Sequence, residues 1–167
     1  NYPTAIIAEI GINHRGNLEA AKELVLQAKK CGCEIAKIQT YTGTERISST
    51  AKQAKYADTT LGMEETTSEM FSRYELIHEK QIELMKYANQ IGIPLMSTPF
   101  DEKSVDNLIE LGVKAFKIAS FDIVNLPFIN YVASKQLPII LSTGMSQLNE
   151  VEEAIEAVAK AKNKNLI

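Results

Sequence analysis

The sequence predicts an α/β fold of parallel strands, each followed by a helix, closed as a (βα)8 barrel, with about the first five units and the start of strand six in this chain. Three observations carry that reading. Apolar runs, polar loops and helical stretches follow one another at a spacing of about 25 residues, the pattern of successive βα units. The runs are nearly continuous instead of strictly alternating, as expected of a parallel sheet covered by helices. No G-x-G-x-x-G or G-x-x-x-x-G-K-S/T loop follows any of them, which disfavours open dinucleotide and P-loop sheets. A complete barrel of this class takes about 250 residues, and the chain has 167.

Strand one is the β-branched run Ala5–Gly11. Helix one follows, with Ala21, Leu24, Val25 and Ala28 at helical spacing, Asn17 as N-cap and Gly32 as stop. Strand two is Ile35–Thr40. After a long insertion comes helix Gln81–Gln90, with Ile82, Met85 and Ala88 on one stripe and Gly92 as terminator. Strand three, Pro94–Pro99, leads to a helix around Ser104–Leu111 that stops at Gly112; strand four, Ala115–Ser120, leads to a helix around Pro127–Ser134. Strand five is Pro138–Gly144 with helix Asn149–Lys162, and Leu166-Ile167 begins a sixth strand.

Composition excludes several function classes. Lys and Arg number 18 against 21 Asp and Glu, a net charge of −3, so there is no basic footprint for nucleic acid or an anionic membrane. Hydrophobic residues make up 45%, and no apolar run approaches the roughly 18 residues of a membrane span. No secretory signal is visible in the residues ahead of strand one, and none is expected. Cys31 and Cys33 are too close for a usual metal knuckle or an easy disulfide, so they read as reduced thiols of a cytoplasmic protein.

Between Tyr41 and Glu79 the chain runs far beyond the usual βα connection of about 2–6 residues. It is either a solvated excursion or a lid over the C-terminal mouth of the barrel, where active sites of this architecture sit. Met70, Phe71, Tyr74 and Ile77 have helical spacing, so part of it is expected to pack down as an extra helix.

The strongest chemical signal is charge inside the apolar runs: Glu9, Lys37 and Lys117. Burying an unpaired charge costs several kcal/mol, so each faces a solvated mouth, a partner charge or a ligand. Strand alternation puts Lys37 and Gln39 on one face, and Lys117 with Ala119 opposite Ile118, so both lysines are able to point into one cavity. A structural ion pair from Glu9 to either lysine is the plainer alternative. Hydroxyls gather at the strand ends: Ser97 and Thr98, Ser120, then Ser142 and Thr143. With two ammonium groups and helix N-termini, they suit a phosphate.

Five motifs now stand in order: AEIGINHRGN from Ala8, Lys37-Ile38-Gln39-Thr40, Ser97-Thr98-Pro99-Phe100-Asp101, Phe116-Lys117-Ile118-Ala119-Ser120 and Ser142-Thr143-Gly144-Met145. In order and spacing the chain resembles the sialic acid synthase family of N-acetylneuraminate, legionaminate and pseudaminate synthases. The resemblance covers residues 1–167 as the N-terminal portion of a TIM-barrel synthase domain, with the family's small C-terminal antifreeze-like domain absent. It implies a phosphoenolpyruvate-dependent condensation with the open-chain form of a 2-acetamido sugar, giving a nine-carbon 2-keto sugar acid and phosphate by carbon–oxygen cleavage. Lys37, Gln39, Thr98, Lys117, Ser120 and Ser142 would hold phosphoenolpyruvate, with Asn13 a further substrate-binding residue. Glu9 would be a positioning or proton-transfer carboxylate. Asp122, where the family usually has Glu, would take the amino sugar, one methylene shorter. Glu9, Lys37, Lys117 and Asp122 form the implied catalytic set.

Phe121 stands where the neuraminate enzymes have Gly, and this, with Tyr41 and Thr42, leans toward the pseudaminate type. His14 reads as loop-shaping or substrate-adjacent, and His78 as a surface residue. The family's divalent metal, Mn or Mg, is held largely by histidines on strand six and beyond, so no metal ligands are expected here. The full-length protein is expected to be a cytoplasmic homodimer. A chain ending at Ile167 is expected to be inactive and prone to self-association, since five parallel strands leave two unpaired edges. Two other functions remain open from sequence: a lysine Schiff-base pyruvate aldolase through Lys117, and a non-catalytic phosphate-binding fragment.

Overall fold

A computed structural model describes residues 4–46 and 66–167. Strands β1 (Ile7–Gly11), β2 (Ile35–Thr40), β3 (Leu95–Pro99), β4 (Phe116–Ile118) and β5 (Ile139–Leu141) form one parallel sheet in that spatial order. Helix α1 (Leu18–Lys30) connects β1 to β2, α5 (Glu102–Glu110) connects β3 to β4, and α6 (Leu126–Ser134) connects β4 to β5, with α7 (Leu148–Lys160) following. The β2–β3 crossover holds the short α2 (Gly43–Arg46), then α3 (Thr67–Tyr74) and α4 (His78–Ile91). Sequential strand order with a helix in every crossover is the winding of a (βα)8 barrel. The expected sixth strand begins where it should: Leu166 bridges Ile139 in parallel, and Ile167 N donates to Ile139 O at 2.9 Å.

The register explains the core. Ile38 lies beside Ser97, Ser97 beside Phe116 and Phe116 beside Ile139. Ala36, Ile38, Phe116, Ile118 and Ile139 are all 2% exposed or less and pack with Val25, Leu84, Val105, Leu108 and Ile129 from the helices. One face of the sheet is therefore sealed, and the polar insertions fall on the other. Helix starts are fixed by side chains: Asn17 Oδ1 accepts from Ala20 N at 3.0 Å, and Asp101 Oδ1 from Ser104 N at 2.6 Å. Gly92, at φ 72°, ends α4 in the left-handed conformation that an L-residue with a Cβ adopts only at a cost.

Several boundaries differ from the sequence reading. β4 and β5 are shorter than expected, because Ser120–Asp122 turns into a 3-10 helix and β5 ends at Leu141. Helix α4 starts at His78, ahead of Gln81. The extra helix exists as α3 but ends at Tyr74, so Ile77 lies outside it, at the N-cap of α4 and 46% exposed. The break has a cause: Glu75 leaves the helix and accepts from Gly43 N at 2.8 Å, tying α3 to α2. The middle of the long insertion, residues 47–65, lies outside the described residues.

Candidate active site

Alternation along the strands puts Lys37 and Gln39 of β2, Thr98 of β3 and Lys117 of β4 on the face away from the sealed core. Lys37, 7% exposed, donates from Nζ to Thr98 Oγ1 at 3.2 Å and pairs with Glu9 of β1, whose side chain is 56% exposed. Lys117, half-buried, donates to Ile118 O at 2.7 Å. Burial, and then the Lys37 ammonium, hold its pKa below the ordinary lysine value, with Glu9 acting the other way. The two lysines thus lie on one face of the sheet, close enough for the Lys37 ammonium to act on Lys117. The Glu9–Lys37 pair of the plainer alternative is also present. A pair with one half-solvated partner adds little stability, and what it does is hold the ammonium in place.

The hydroxyls divide by strand parity. Thr98 faces Lys37, whereas Ser97 points the other way and bonds Thr40 Oγ1 at 2.7 Å and Ile38 O at 3.2 Å on the helix-covered side. Ser97 therefore belongs to the scaffold. Ser120 opens the turn after β4, and a Cβ added at Gly144 would sit 3.6 Å from its Oγ, so the loops after β4 and β5 meet there. Ser142, half-buried, donates its backbone N–H to Ile118 O at 3.2 Å. Asn13 is exposed, and its side-chain amide donates to Ile10 O at 2.8 Å, bracing the turn after β1. Gln39 Oε1 accepts from Arg46 Nη1 at 3.1 Å.

That bond leads to a group of residues the sequence reading did not assemble. The Arg46 guanidinium lies 4.5, 4.1 and 3.8 Å from the ring centres of Tyr41, Phe71 and Phe100. Phe100 stacks on Phe121 with centres 5.6 Å apart and planes 5° from parallel. Arg46, Phe71, Phe100, Phe121 and Asp122 line a cavity of about 310 Å3. Asp122 Oδ2 is buried without a hydrogen-bond partner among the described residues. Its pKa is pushed up to about 6 by burial, with Arg46 opposing. Burial likewise raises Tyr41 to about 12 and depresses Arg46. The available signal was an arginine and several aromatics in a nominally polar insertion.

His14 is 1% exposed; its Nδ1 accepts from Gly16 N at 3.1 Å, which shapes the loop, and burial lowers its pKa. His78, read as a surface residue, is half-buried, with its Nδ1 enclosed. Among the described residues no three His, Cys, Asp or Glu side chains form a metal-ligand set. Cys31 and Cys33 are free thiols, and no described helix is long and apolar enough to cross a membrane.

Residues 24–167 match the NeuB family. The chain belongs to that family. It is 46% identical over 153 residues to the N,N′-diacetyllegionaminic acid synthase of Legionella pneumophila, covering 92% of this chain and 43% of that protein. Identity is 34% to the human N-acetylneuraminate-9-phosphate synthase, over 94% of this chain and 44% of the relative. With the Helicobacter pylori pseudaminic acid synthase it is 32%, over 96% of this chain and 47% of the relative. This NeuB chain thus spans less than half the length of these relatives. The ordering of identities runs against the pseudaminate lean drawn from Phe121, Tyr41 and Thr42. In structure it superimposes on the N-acetylneuraminic acid synthetase of Leptospira borgpetersenii with a TM-score of 0.85 at 28% identity, over 99% of this chain and 53% of the other. A truncated 3-deoxy-D-arabino-heptulosonate 7-phosphate synthase from Thermotoga maritima shares the fold, at a TM-score of 0.67 and 15% identity, over 98% of this chain and 49% of the other.

Proposed function

We propose that the protein of which this chain is part condenses phosphoenolpyruvate with the open-chain aldehyde of an acetamido sugar, giving a nonulosonic acid and phosphate. The observation that carries the reading is the pairing of Lys37 and Lys117 on one face with Thr98 between them. Two ammonium groups in mutual repulsion, each partly desolvated, gain most when a multiply charged anion comes between them. Family membership supplies the second support, since the relatives are named as synthases of nonulosonic acids.

In this reading Lys37, Lys117 and Thr98 hold the phosphate and carboxylate of phosphoenolpyruvate, Ser120 and Ser142 close the cradle where the β4 and β5 loops meet, and Glu9 fixes Lys37. Glu9, half-exposed beside the lysines, is placed to exchange a proton with the bound substrates. Asp122, unpartnered among the described residues and with its pKa pushed up to about 6 by burial, is suited to a sugar hydroxyl or amide. The acceptor carries one or two acetamido groups, as the N,N′-diacetyl in the names of the legionaminic relatives suggests. The divalent metal implied by the resemblance finds no ligand set among the described residues, and the roles given to these residues are those of binding and proton exchange. We place the protein in the cytoplasm, where its free thiols would stay reduced.

The test is phosphate release by the full-length protein with Mn²⁺, each substrate alone and both together. Release that requires both supports the synthase. The depressed basicity of Lys117 would also suit an imine-forming lysine, so trapping of a pyruvate adduct by borohydride, without phosphate release from phosphoenolpyruvate, would replace the synthase with an aldolase.

A further inference from the structure

We infer that the cavity between Arg46, Phe71, Phe100, Phe121 and Asp122 is an acylamino pocket, which selects the acceptor sugar by one of its N-acetyl groups. The inference rests on the synthase reading only for the class of acceptor; the pocket itself is argued from its walls. Its volume, about 310 Å3, leaves room for a substituent together with part of a sugar. Three of its five lining residues are phenylalanines, an apolar surface suited to a methyl group or the flat face of an amide. Phe100 and Phe121 are stacked nearly parallel, and Phe121 is 58% exposed, so it offers an aromatic face beside the opening.

The two polar walls complement an amide. A secondary amide has one N–H to donate and one carbonyl to accept with. Asp122 Oδ2 is a buried acceptor without a partner among the described residues, and the Arg46 guanidinium holds five N–H donors of which one is bonded to Gln39 Oε1 at 3.1 Å. An acetamido group fits both at once: N–H to Asp122, carbonyl to Arg46, methyl against the rings. A hydroxyl can bond both walls but leaves the apolar surface wet, and a free ammonium can donate to Asp122 but has no acceptor for Arg46 and brings its charge up to it. Position agrees, because Gln39 links this pocket to the strand that carries Lys37. The acyl group is thereby anchored just beyond the proposed phosphoenolpyruvate site, at the C-terminal ends of β2, β3 and β4.

Phe121→Ala and Arg46→Met test the pocket in the full-length protein. Phe121 is exposed enough for its removal to leave the core intact, and methionine keeps an apolar stem against the rings while deleting the fork. Acceptors would be acetamido hexoses bearing one or two acetyl groups and their free-amine counterparts. The expected result is a rise of about tenfold or more in KM for the acetylated acceptor in each variant, with KM for phosphoenolpyruvate and for the free-amine acceptor unchanged. Equal effects on acetylated and free-amine acceptors, or no effect, would overturn the pocket. Should the wild type release no phosphate with any acceptor, the synthase reading fails, and saturation-transfer NMR with N-acetylmannosamine decides the pocket separately. Methyl-selective transfer that Phe121→Ala and Arg46→Met abolish supports it, and its absence in the wild type overturns it.

Discussion

Replacing Lys37 by methionine removes one ammonium and keeps most of the stem. The partner left behind, Glu9, has a side chain 56% exposed, so water takes over its solvation and folding stability should fall by less than about 1 kcal/mol. Ligand binding is different. Lys37 is 7% exposed, and at an effective dielectric near 20 a unit charge about 4 Å from another contributes roughly 4 kcal/mol before desolvation is subtracted. Truncating one member of a desolvated charge pair at a binding site typically costs about 2–5 kcal/mol. Phosphoenolpyruvate binding to the full-length protein should therefore weaken by roughly thirtyfold to several-thousandfold in calorimetry, with the melting temperature nearly unchanged. A second effect follows from the same geometry. The Lys37 ammonium is one cause of the low Lys117 pKa, so Lys117 should titrate at higher pH in the variant, read from NMR of its ε-methylene. Unchanged affinity, or an unshifted Lys117, would refute the shared anion site.

Three further outcomes follow from the structure. The Asp122 pKa is raised from 3.8 to about 6, so the stabilising contribution of its neutral form is complete below pH 3.8 and lost as pH rises through 6. Asp122→Asn should therefore raise the melting temperature at pH 8 relative to wild type and leave it unchanged near pH 3.5; a pH-independent difference would contradict the burial argument. Phe116, fully buried at the centre of the sheet, should cost about 3–5 kcal/mol as Phe116→Ala, measured by urea unfolding, and a loss below 1 kcal/mol would mean the strand register is wrong. At Gly43 an added Cβ would come within 2.7 Å of Ser72 N and closer still to its Cα. Gly43→Ala should therefore force α2 from α3 and speed proteolysis in this region, and an unchanged cleavage rate would show that the two helices do not pack as closely as described.

The βα order was legible because each unit carries its own punctuation. Asn17, Asp101 and Asn125 accept from the first turns of their helices, and Gly92 and Gly112 stop α4 and α5 at positive φ. That Lys37 and Lys117 share a face was legible for the same kind of reason: strand parity is strict, and a charge in a sealed sheet has only one face available. The same parity, applied to the hydroxyls, would have separated Ser97 from Thr98. Ser97 and Thr98 look alike as neighbours in a hydroxyl pair, yet they point to opposite faces. Helix α2 and the Arg46 cluster were not legible. An arginine in a polar stretch defaults to solvent, and only tertiary contacts from β3, β4 and α3 bring Phe100, Phe121 and Phe71 to it. Strand ends were overextended because Ser120-Phe121-Asp122 reads as a continuation of the run, whereas hydrogen bonds from Asp122 N to Ala119 O and Ile123 N to Ser120 O turn it.

The fate of the bridging oxygen of phosphoenolpyruvate tests the central claim most directly. In the proposed condensation, phosphoenolpyruvate, acceptor and water give nonulosonic acid and phosphate: the new carbon–carbon bond joins the phosphoenolpyruvate methylene carbon to the sugar aldehyde, water supplies the oxygen at C2, and the C2–oxygen bond breaks. Phosphoenolpyruvate labelled with 18O at the bridge, incubated with the full-length protein, Mn²⁺ and an acetamido hexose, should give phosphate carrying the label and a nine-carbon acid without it, both read by mass spectrometry. Label retained in the acid, or left in free pyruvate, would contradict the account.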